Sequence, residues 1–572
     1  MKVMNSEIAD IFNRTADYLE IKGENRFRIR AYREAARIIN NMSRQASDRI
    51  KEGEDLSQME GIGRDLAGKI EQIVKSGRLD ILESLEKEMP KGLGRIMDIS
   101  GMGGRKIKKL YDELHIKSIT DLKKAAKKGK IRDIEGFGKK TEKNILEEIA
   151  RVEKTQGRYL LDEAAESARN IIDYLEKSGD IKKIEAAGSC RRMKETVGDL
   201  DILITCGNPE KAIEKFLGYE NIKKTAAKGE KKSSVILRNG MQVDLRAFDE
   251  ENYGAAMMYF TGSKEHNVSL RKTAIEKKMK LNEYGLFKGG KKISGKTEKD
   301  MYEKLGLQYI DPVLRENRGE IEAASKNRLP VIVREKDIKG DLHMHSKYTD
   351  GRNTIMEMAQ RAKKRGYSYI GISDHSRKVK VAGGMGPDEF VKQMKEIDRI
   401  NKKIKGLKIL KGIEVDILED GSLDMPDEAL KKADYTICAV HSKFSLSKKK
   451  QTERIIKAMD NGFFRILAHP SGRMLNSRAP YEADFDRIFD YAAEKRKIME
   501  VNSHPHRLDL CDADIREVIK KGGKLCISTD SHSVDGLENI KFGIGTAGRG
   551  WAEKKDIINT KTLKDLKKIL EI

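Results

Sequence analysis

From Lys339 onward the chain repeats one unit, a short apolar run followed by a helical stretch. Seven runs are expected to be strands: Lys339–Leu342, Tyr369–Ser373, Ile409–Ile413, Tyr435–Val440, Phe464–Ala468, Ile498–Asn502 and Leu525–Thr529. Helical stretches such as Ile355–Arg365 and Thr452–Met459 separate them. Strands that alternate with helices build a mainly parallel sheet, here expected to close into a barrel.

The ends of these strands carry most of the chain's histidine. Of its ten histidines, only His115 and His266 precede residue 340. His343, His345 and Asp350 follow the first strand, His375 the second, Glu414 the third and His441 the fourth. His469 follows the fifth, and Asp530 and His532 follow the seventh. The sixth has no obvious ligand; it ends at Asn502, with His504 and His506 just beyond. Functional groups of a βα barrel gather at the C-terminal strand ends. The spacing therefore predicts nine ligands on one rim. A catalytic zinc-like ion takes about three protein ligands, so nine suit about three ions, with a carboxylate such as Glu414 bridging. Imidazole and carboxylate without thiolate suit Zn²⁺, Mn²⁺ or Fe²⁺ better than Mg²⁺ alone. Such a cluster activates water for attack on a phosphoester. A lone histidine after a strand is usually structural, but ligands at six of seven strand ends are not a structural pattern.

At 572 residues the chain needs several cores. Its net charge of +23 is shared by both halves and suits a polyanionic partner. The five cysteines show no paired spacing and read as reduced thiols. With no signal peptide and no membrane-length apolar run, a soluble, cytoplasmic protein is expected. Residues 1–155 read as helices and contain three similar turns. Their glycine pairs are Gly61 and Gly63, Gly101 and Gly103, and Gly136 and Gly138, each ahead of a basic amphipathic helix. Such turns expose backbone N–H groups at a helix start and bind a phosphate without reading a base. Three with the same flanks predict helix-hairpin-helix grips on a DNA backbone.

A second chemical site is expected between them. Alternation along Asp199-Leu200-Asp201-Ile202 puts the two aspartates on one face. A hairpin turning at Asn239-Gly240 brings up Gln242, Asp244 and Arg246 on a shared face. Three carboxylates in one place repel and need cations. Two Mg²⁺ (or Mn²⁺) ions would satisfy them and set up in-line phosphoryl transfer. Gly188-Ser189 at a strand-to-helix turn offers N–H and hydroxyl groups to phosphates, and Arg192 offsets developing charge.

These residues resemble a known family. Gly188-Ser189-Cys190-Arg191-Arg192, Val197-Gly198-Asp199-Leu200-Asp201 and Val243-Asp244-Leu245-Arg246 resemble the palm of family X DNA polymerases. Tyr259-Phe260-Thr261-Gly262-Ser263 resembles its nucleotide-pocket motif, and Asn267, Arg271 and Asn282-Glu283-Tyr284 follow at its spacing. The barrel motifs resemble the polymerase and histidinol phosphatase (PHP) domain. The resemblance implies that Asp199 and Asp201 bind both palm metals and that Asp244 holds the catalytic one. Ser189, Arg192 and Gly198 would contact the triphosphate, with Gly188 and Gly262 in the same pocket. Tyr259 and Phe260 would pack under the sugar, Asn267 would touch the nascent base pair, and Arg271 the template. Lys69 falls where the family's lyase lysine is expected, with Tyr32 and Arg33 in its pocket. Gln242 departs from the animal repair polymerase, which has arginine there. In the PHP domain, His343, His345, Glu414 and Asp530 would hold one ion. Glu414, His441 and His469 would hold a second, and Asp350, His375 and His532 a third.

The expected architecture is multidomain α and α/β. It comprises a helix-hairpin-helix lyase-like domain (1–85), helical fingers (86–155), an α+β nucleotidyltransferase palm (156–250) and a thumb (251–318). A linker (319–338) would lead to a distorted (β/α)7 PHP barrel (339–572). The expected function is gap-filling DNA synthesis in base excision repair, by a monomer acting on gapped or nicked DNA and dNTPs alongside other repair proteins. A 3′–5′ exonuclease, abasic-site endonuclease and 5′-deoxyribose phosphate lyase would accompany it. The alternative is a nucleotidyltransferase fused to a small-molecule phosphoesterase, which would have no need of three backbone grips. A DNA-binding scaffold with dead sites would have no need of the complete triad and ligand set.

Overall fold

A computed structural model describes residues 5–572 apart from 41, 43–45, 60, 91, 98, 100, 101, 156 and 178. Residues up to 155 form one compact unit, and residues 157–475 and 479–572 form another. The described part of the first unit is helical, as expected. One apolar core gathers Phe12, Leu19, Tyr32, Ile62, Ile70 and Leu82, and a second gathers Ile96, Ile107, Leu122, Ile131 and Ile149. Gly63 and Gly103 cap the helices Arg64–Ser76 and Gly104–Leu114, and Gly138 precedes Lys139–Thr155. A Cβ at any of these three would meet nothing within 4 Å, so the helix starts are open to an approaching backbone. Gly101 lies outside the described residues.

The second unit opens with a five-stranded sheet. Its spatial order is Ile181–Ala186, Asp199–Cys206, Gln242–Ala247, Lys232–Leu237 and Ile222–Lys228. Asp199–Cys206 runs parallel to Gln242–Ala247 and antiparallel to Ile181–Ala186. Leu200, Ile202 and Ile204 are fully buried against the helices Leu161–Glu176 and Pro209–Leu217. On the opposite face Leu203 packs against the helix Tyr253–Thr261, which leaves only the Asp199 and Asp201 end of that face open. A small antiparallel meander (Met279–Asn282, Gly285–Lys288, Lys291–Ser294) and its helices follow. The polar stretch expected as a linker carries the helix Glu320–Ser325. Its Ile332 packs with Leu305, Val313 and Leu314, while Val333 joins the barrel core.

The barrel has seven parallel strands in sequence order, from Gly340–Asp341 to Lys524–Ser528. Each lies where an apolar run predicts it. The first and fifth shorten to two residues, Gly340–Asp341 and Ile466–Leu467. The first and last strands approach each other beyond their ends: Met344 bridges Ser531 in parallel, and the His345 N–H donates to the Ser531 carbonyl at 2.8 Å. The barrel is therefore nearly closed, and all of its strand C-termini open on one rim. Among the described residues, no helix is long and apolar enough to cross a membrane. All five cysteines are free; Cys190, Cys438 and Cys526 are buried.

Candidate active sites

In the palm, Asp201 and Asp244 are direct neighbours across the parallel strand pair, and Asp199 pairs with Gln242 one step earlier on the same face. Burial first, then repulsion from Asp199 and Asp244, pushes Asp201 up to about 6 although Arg246 opposes it. Burial also works against Asp244, but hydrogen bonds from Ser234 and Gln242 and the charges of Arg246 and Lys232 hold it below its ordinary value. Arg246 spans the group, with Nη2 2.7 Å from Asp244 and Nε 3.5 Å from Asp201. The Gln242 amide donates to Asp244 at 3.1 Å. Gln242 therefore offers the carboxylate a neutral donor. The carboxylates already gather cationic side chains, and hard divalent ions fit this oxygen-rich donor set.

The turn at Gly188–Arg192 sits at the edge of this face. Gly188 has φ +66°, and a Cβ there would lie 3.7 Å from Asp201 Oδ2. Arg192 is buried, with Nη1 donating to the Thr261 carbonyl at 2.5 Å and Nε to Glu316 at 2.8 Å. Gly262 lies between Arg192 and Asn267, within 3.5 Å and 3.9 Å of their terminal nitrogens when a Cβ is built on it. The Asn267 amide donates to the Tyr259 carbonyl at 2.7 Å. Phe260 meets Tyr259 edge-on and lies beneath the Arg246 guanidinium. Arg271 is exposed one turn beyond Asn267 on the helix Lys264–Glu276. Gly198 precedes the first aspartate and faces Arg158, and Ser189 is half-buried in the turn.

At the barrel rim the nine predicted ligands come together around Glu414. Its Oε1 lies 3.1 Å from His469 and 3.2 Å from His441; its Oε2 lies 2.7 Å from His375 and 3.5 Å from His343. Three donor groups are close enough to hold an ion: His343, His345 and Asp530; His375, Glu414 and His441; and His345, Asp350, His375 and His532. His345 and His375 are thus shared between groups. His469 Nε2 reaches Glu414 Oε1 at 3.1 Å but lies outside these groups. His343 Nε2 and Glu414 Oε2 are buried and make no well-directed hydrogen bond. Buried polar atoms left so are costly unless a ligand satisfies them.

Charge points the same way. Burial alone would lower His343, but Glu500, Asp530 and Glu414 hold it well above its ordinary value. His441 and His532 rise to about 9 against burial, under Glu414 and Asp416 and under Asp350 and Asp530 respectively. Burial lowers His345 to about 3 and His469 to about 4, helped by the charges of His532 and His375 and of Arg507 respectively. The carboxylates thus call for positive charge, while two imidazoles keep neutral lone pairs. That combination fits transition-metal ions. Gly351 lets the Asp350 loop reach the cluster, since a Cβ there would lie 2.6 Å from the His345 carbonyl carbon.

Several parts of the chain match known families. Residues 256–316 match the DNA polymerase beta thumb, and 341–504 match the PHP domain. Residues 3–79 match a helix-hairpin-helix domain and 94–151 a SAM-like helix-hairpin-helix tandem. The chain is 37% identical over 569 residues to the "DNA polymerase/3'-5' exonuclease PolX" of Bacillus subtilis, covering 99% of each. The chain belongs to the family X DNA polymerases that carry a PHP domain. It is a nucleotidyltransferase joined to a metal-dependent phosphoesterase domain. Two shorter relatives are probable phosphatases. One, from Thermoanaerobacter sp., is 30% identical over 217 residues, covering 36% of this chain and 80% of its own. The other, from Acetivibrio thermocellus, is 28% identical over 219 residues, covering 36% and 83%.

Within this family frame, other expected residues fall as follows. Lys69 lies 5.2 Å from the Tyr32 ring centre and pairs with Asp65. Burial would lower its pKa, but the Asp65 and Tyr32 contacts raise it overall. Arg33 turns away to Asp17 and Glu20. His504 is half-buried and His506 exposed, 5.5 Å apart by ring centres and outside the three donor groups. Three further charged residues stand beside the cluster. Glu500 contacts His343, Asp416 contacts His441, and Arg507 Nε lies 3.6 Å from Asp530. Glu500 is a charge inside an apolar strand and must be paired, although the sequence does not say with what.

Proposed function

We propose that this enzyme fills short gaps in DNA during base excision repair and trims 3′ ends with its PHP domain. The direct pairing of Asp201 with Asp244 beside Asp199 carries this reading, because it gathers the carboxylates that nucleotidyl transfer needs. Divalent ions at the two centres, Mg²⁺ or Mn²⁺ in the palm and about three Zn²⁺, Mn²⁺ or Fe²⁺ in the barrel, supply charge neutralisation and an activated attacking oxygen. Asp199, Asp201 and Asp244 would hold the palm ions. Ser189, Arg192 and the Gly188, Gly198 and Gly262 backbone would grip the triphosphate. Tyr259 and Phe260 would exclude ribose, while Asn267 and Arg271 would position the base pair and template. In the barrel, His343, His345, Asp350, His375, Glu414, His441, His469, Asp530 and His532 would hold ions for 3′–5′ phosphodiester hydrolysis and for incision at abasic sites.

The open helix starts at Gly63, Gly103 and Gly138 suit contact with phosphates on both sides of a gap, with Gly61 and Gly136 completing two of the turns. Lys69 would form the Schiff base of a lyase once its ammonium loses a proton. The divisions 1–85, 86–155, 156–250, 251–318 and 339–572 then correspond to lyase-like domain, fingers, palm, thumb and PHP domain. Gapped or nicked DNA and dNTPs would be the substrates. A 5′-phosphorylated gapped duplex, assayed with and without dNTPs over Mg²⁺ and Mn²⁺, tests the reading. Incorporation without dependence on Asp201, or degradation without dependence on Glu414, would overturn it.

A further inference from the structure

The last barrel helix, Ile540–Arg549, lies against the back of the polymerase's phosphate-binding turn. Contact there is close: a Cβ on Gly545 would lie 2.8 Å from the Met193 side chain, the residue after Arg192. Phe542, on the same helix, joins the palm core. At the helix end, Arg549 is 5% exposed and holds three partners. Its Nη1 donates to Glu316 at 2.8 Å and to the Arg192 carbonyl at 3.0 Å, and its Nη2 donates to Asp512 at 2.7 Å. Glu316 Oε1 also accepts from Arg192 Nε at 2.8 Å. One carboxylate oxygen is thus divided between an arginine of the palm and an arginine of the PHP domain.

We propose that Arg549 is a positioning residue for polymerisation: it fixes the Arg192 backbone and shares the charge of Glu316, leaving Arg192 free to take the incoming triphosphate. This rests on the reading that Arg192 binds that triphosphate. A buried carboxylate with a single guanidinium partner holds it tightly, because the alternative is an unpaired buried charge. With two partners, either can exchange the carboxylate for a phosphate at smaller cost. Without Arg549, Glu316 would retain Arg192 and compete with the nucleotide.

The test is steady-state gap filling by the full-length enzyme, with exonuclease rate and melting temperature measured alongside. R549A should raise KM for dNTP about tenfold while kcat stays within about twofold, since ground-state access is what is lost. Exonuclease activity should be unchanged. R549K, which keeps the charge but cannot reach three acceptors at once, should raise KM about threefold and serves if R549A does not fold. Removing the competing carboxylate in R549A/E316Q should bring KM back toward wild type. A folded R549A with unchanged KM overturns the proposal. So does a loss of KM, kcat and exonuclease together that E316Q does not relieve. If R192A leaves KM unchanged, the triphosphate role of Arg192 has failed instead.

Discussion

His343 Nδ1 lies 2.7 Å from Glu500 Oε1, and both side chains are fully buried. The other carboxylate oxygen accepts from the His469 backbone N–H at 2.7 Å and from Asn502 at 3.1 Å. Glu500 therefore turns the His343 ring so that Nε2 faces Glu414 and Asp530, and ties it to the fifth strand end. Losing such a partner typically costs a metal site about 10–100-fold in affinity. Glu500→Gln should release metal at correspondingly lower chelator concentration, read by elemental analysis after graded dialysis. Wild-type retention would mean that Glu500 only fills space.

The barrel was legible because burial on both faces leaves each strand a plain apolar run, and polar residues at the ends stand out. The palm aspartates were legible through alternation at the open end of a strand whose other face is buried. Glu500 was not, because an inward acid in mid-strand looks the same whether it pairs with a ligand or with a lysine. The sharing of His345 and His375 between donor groups was also hidden. It depends on ring orientation across five strand ends, which spacing along one strand does not encode. The packing of 319–338 escaped notice for a similar reason, since Ile332 and Val333 are only two apolar residues in a polar stretch.

The two centres should fail independently. Asp201→Ala should lower dNTP incorporation by at least about a thousandfold, as loss of a metal-holding carboxylate removes most transition-state charge stabilisation. Degradation of a 3′ end should remain within about twofold. Glu414→Ala should do the reverse, because Glu414 stands within reach of five histidines. Parallel loss of both activities in either variant would show that the two assignments describe one site.

Glu316 should make the enzyme acid-sensitive. Burial opposes its charge, but Arg549 and Arg192 pull it down to about 2 from 4.5. A depressed carboxyl contributes stability fully above its ordinary value and loses it as pH falls toward the folded value. Glu316→Gln should therefore lower the melting temperature most above pH 5. The two proteins should converge as pH falls from about 4.5 toward 2. A gap that stays constant through that window would contradict the pairing.

Binding to gapped duplex should weaken by at least about a hundredfold between about 50 and 200 mM salt, since helix-start contacts to phosphates release counterions. Fluorescence anisotropy over that range reads it directly. A flat response would remove the basis for the backbone grips at Gly63, Gly103 and Gly138.

Lyase chemistry at Lys69 should be slow at neutral pH and accelerate with base. A Schiff base needs the free amine, yet Asp65 and Tyr32 outweigh burial and hold the ammonium above its ordinary value of 10.5. Well below that value the free-amine fraction grows about tenfold per pH unit. Borohydride trapping on a 5′-deoxyribose phosphate end should therefore quicken by about that factor for each unit from pH 7 to 9. Asp65→Asn removes the charge that stabilises the ammonium, so trapping at pH 7 should be faster in that variant. Lys69→Ala should abolish it. Trapping that persists in Lys69→Ala would place the nucleophile on another residue, and trapping slowed by Asp65→Asn would mean that Asp65 aids the step it is expected to restrain.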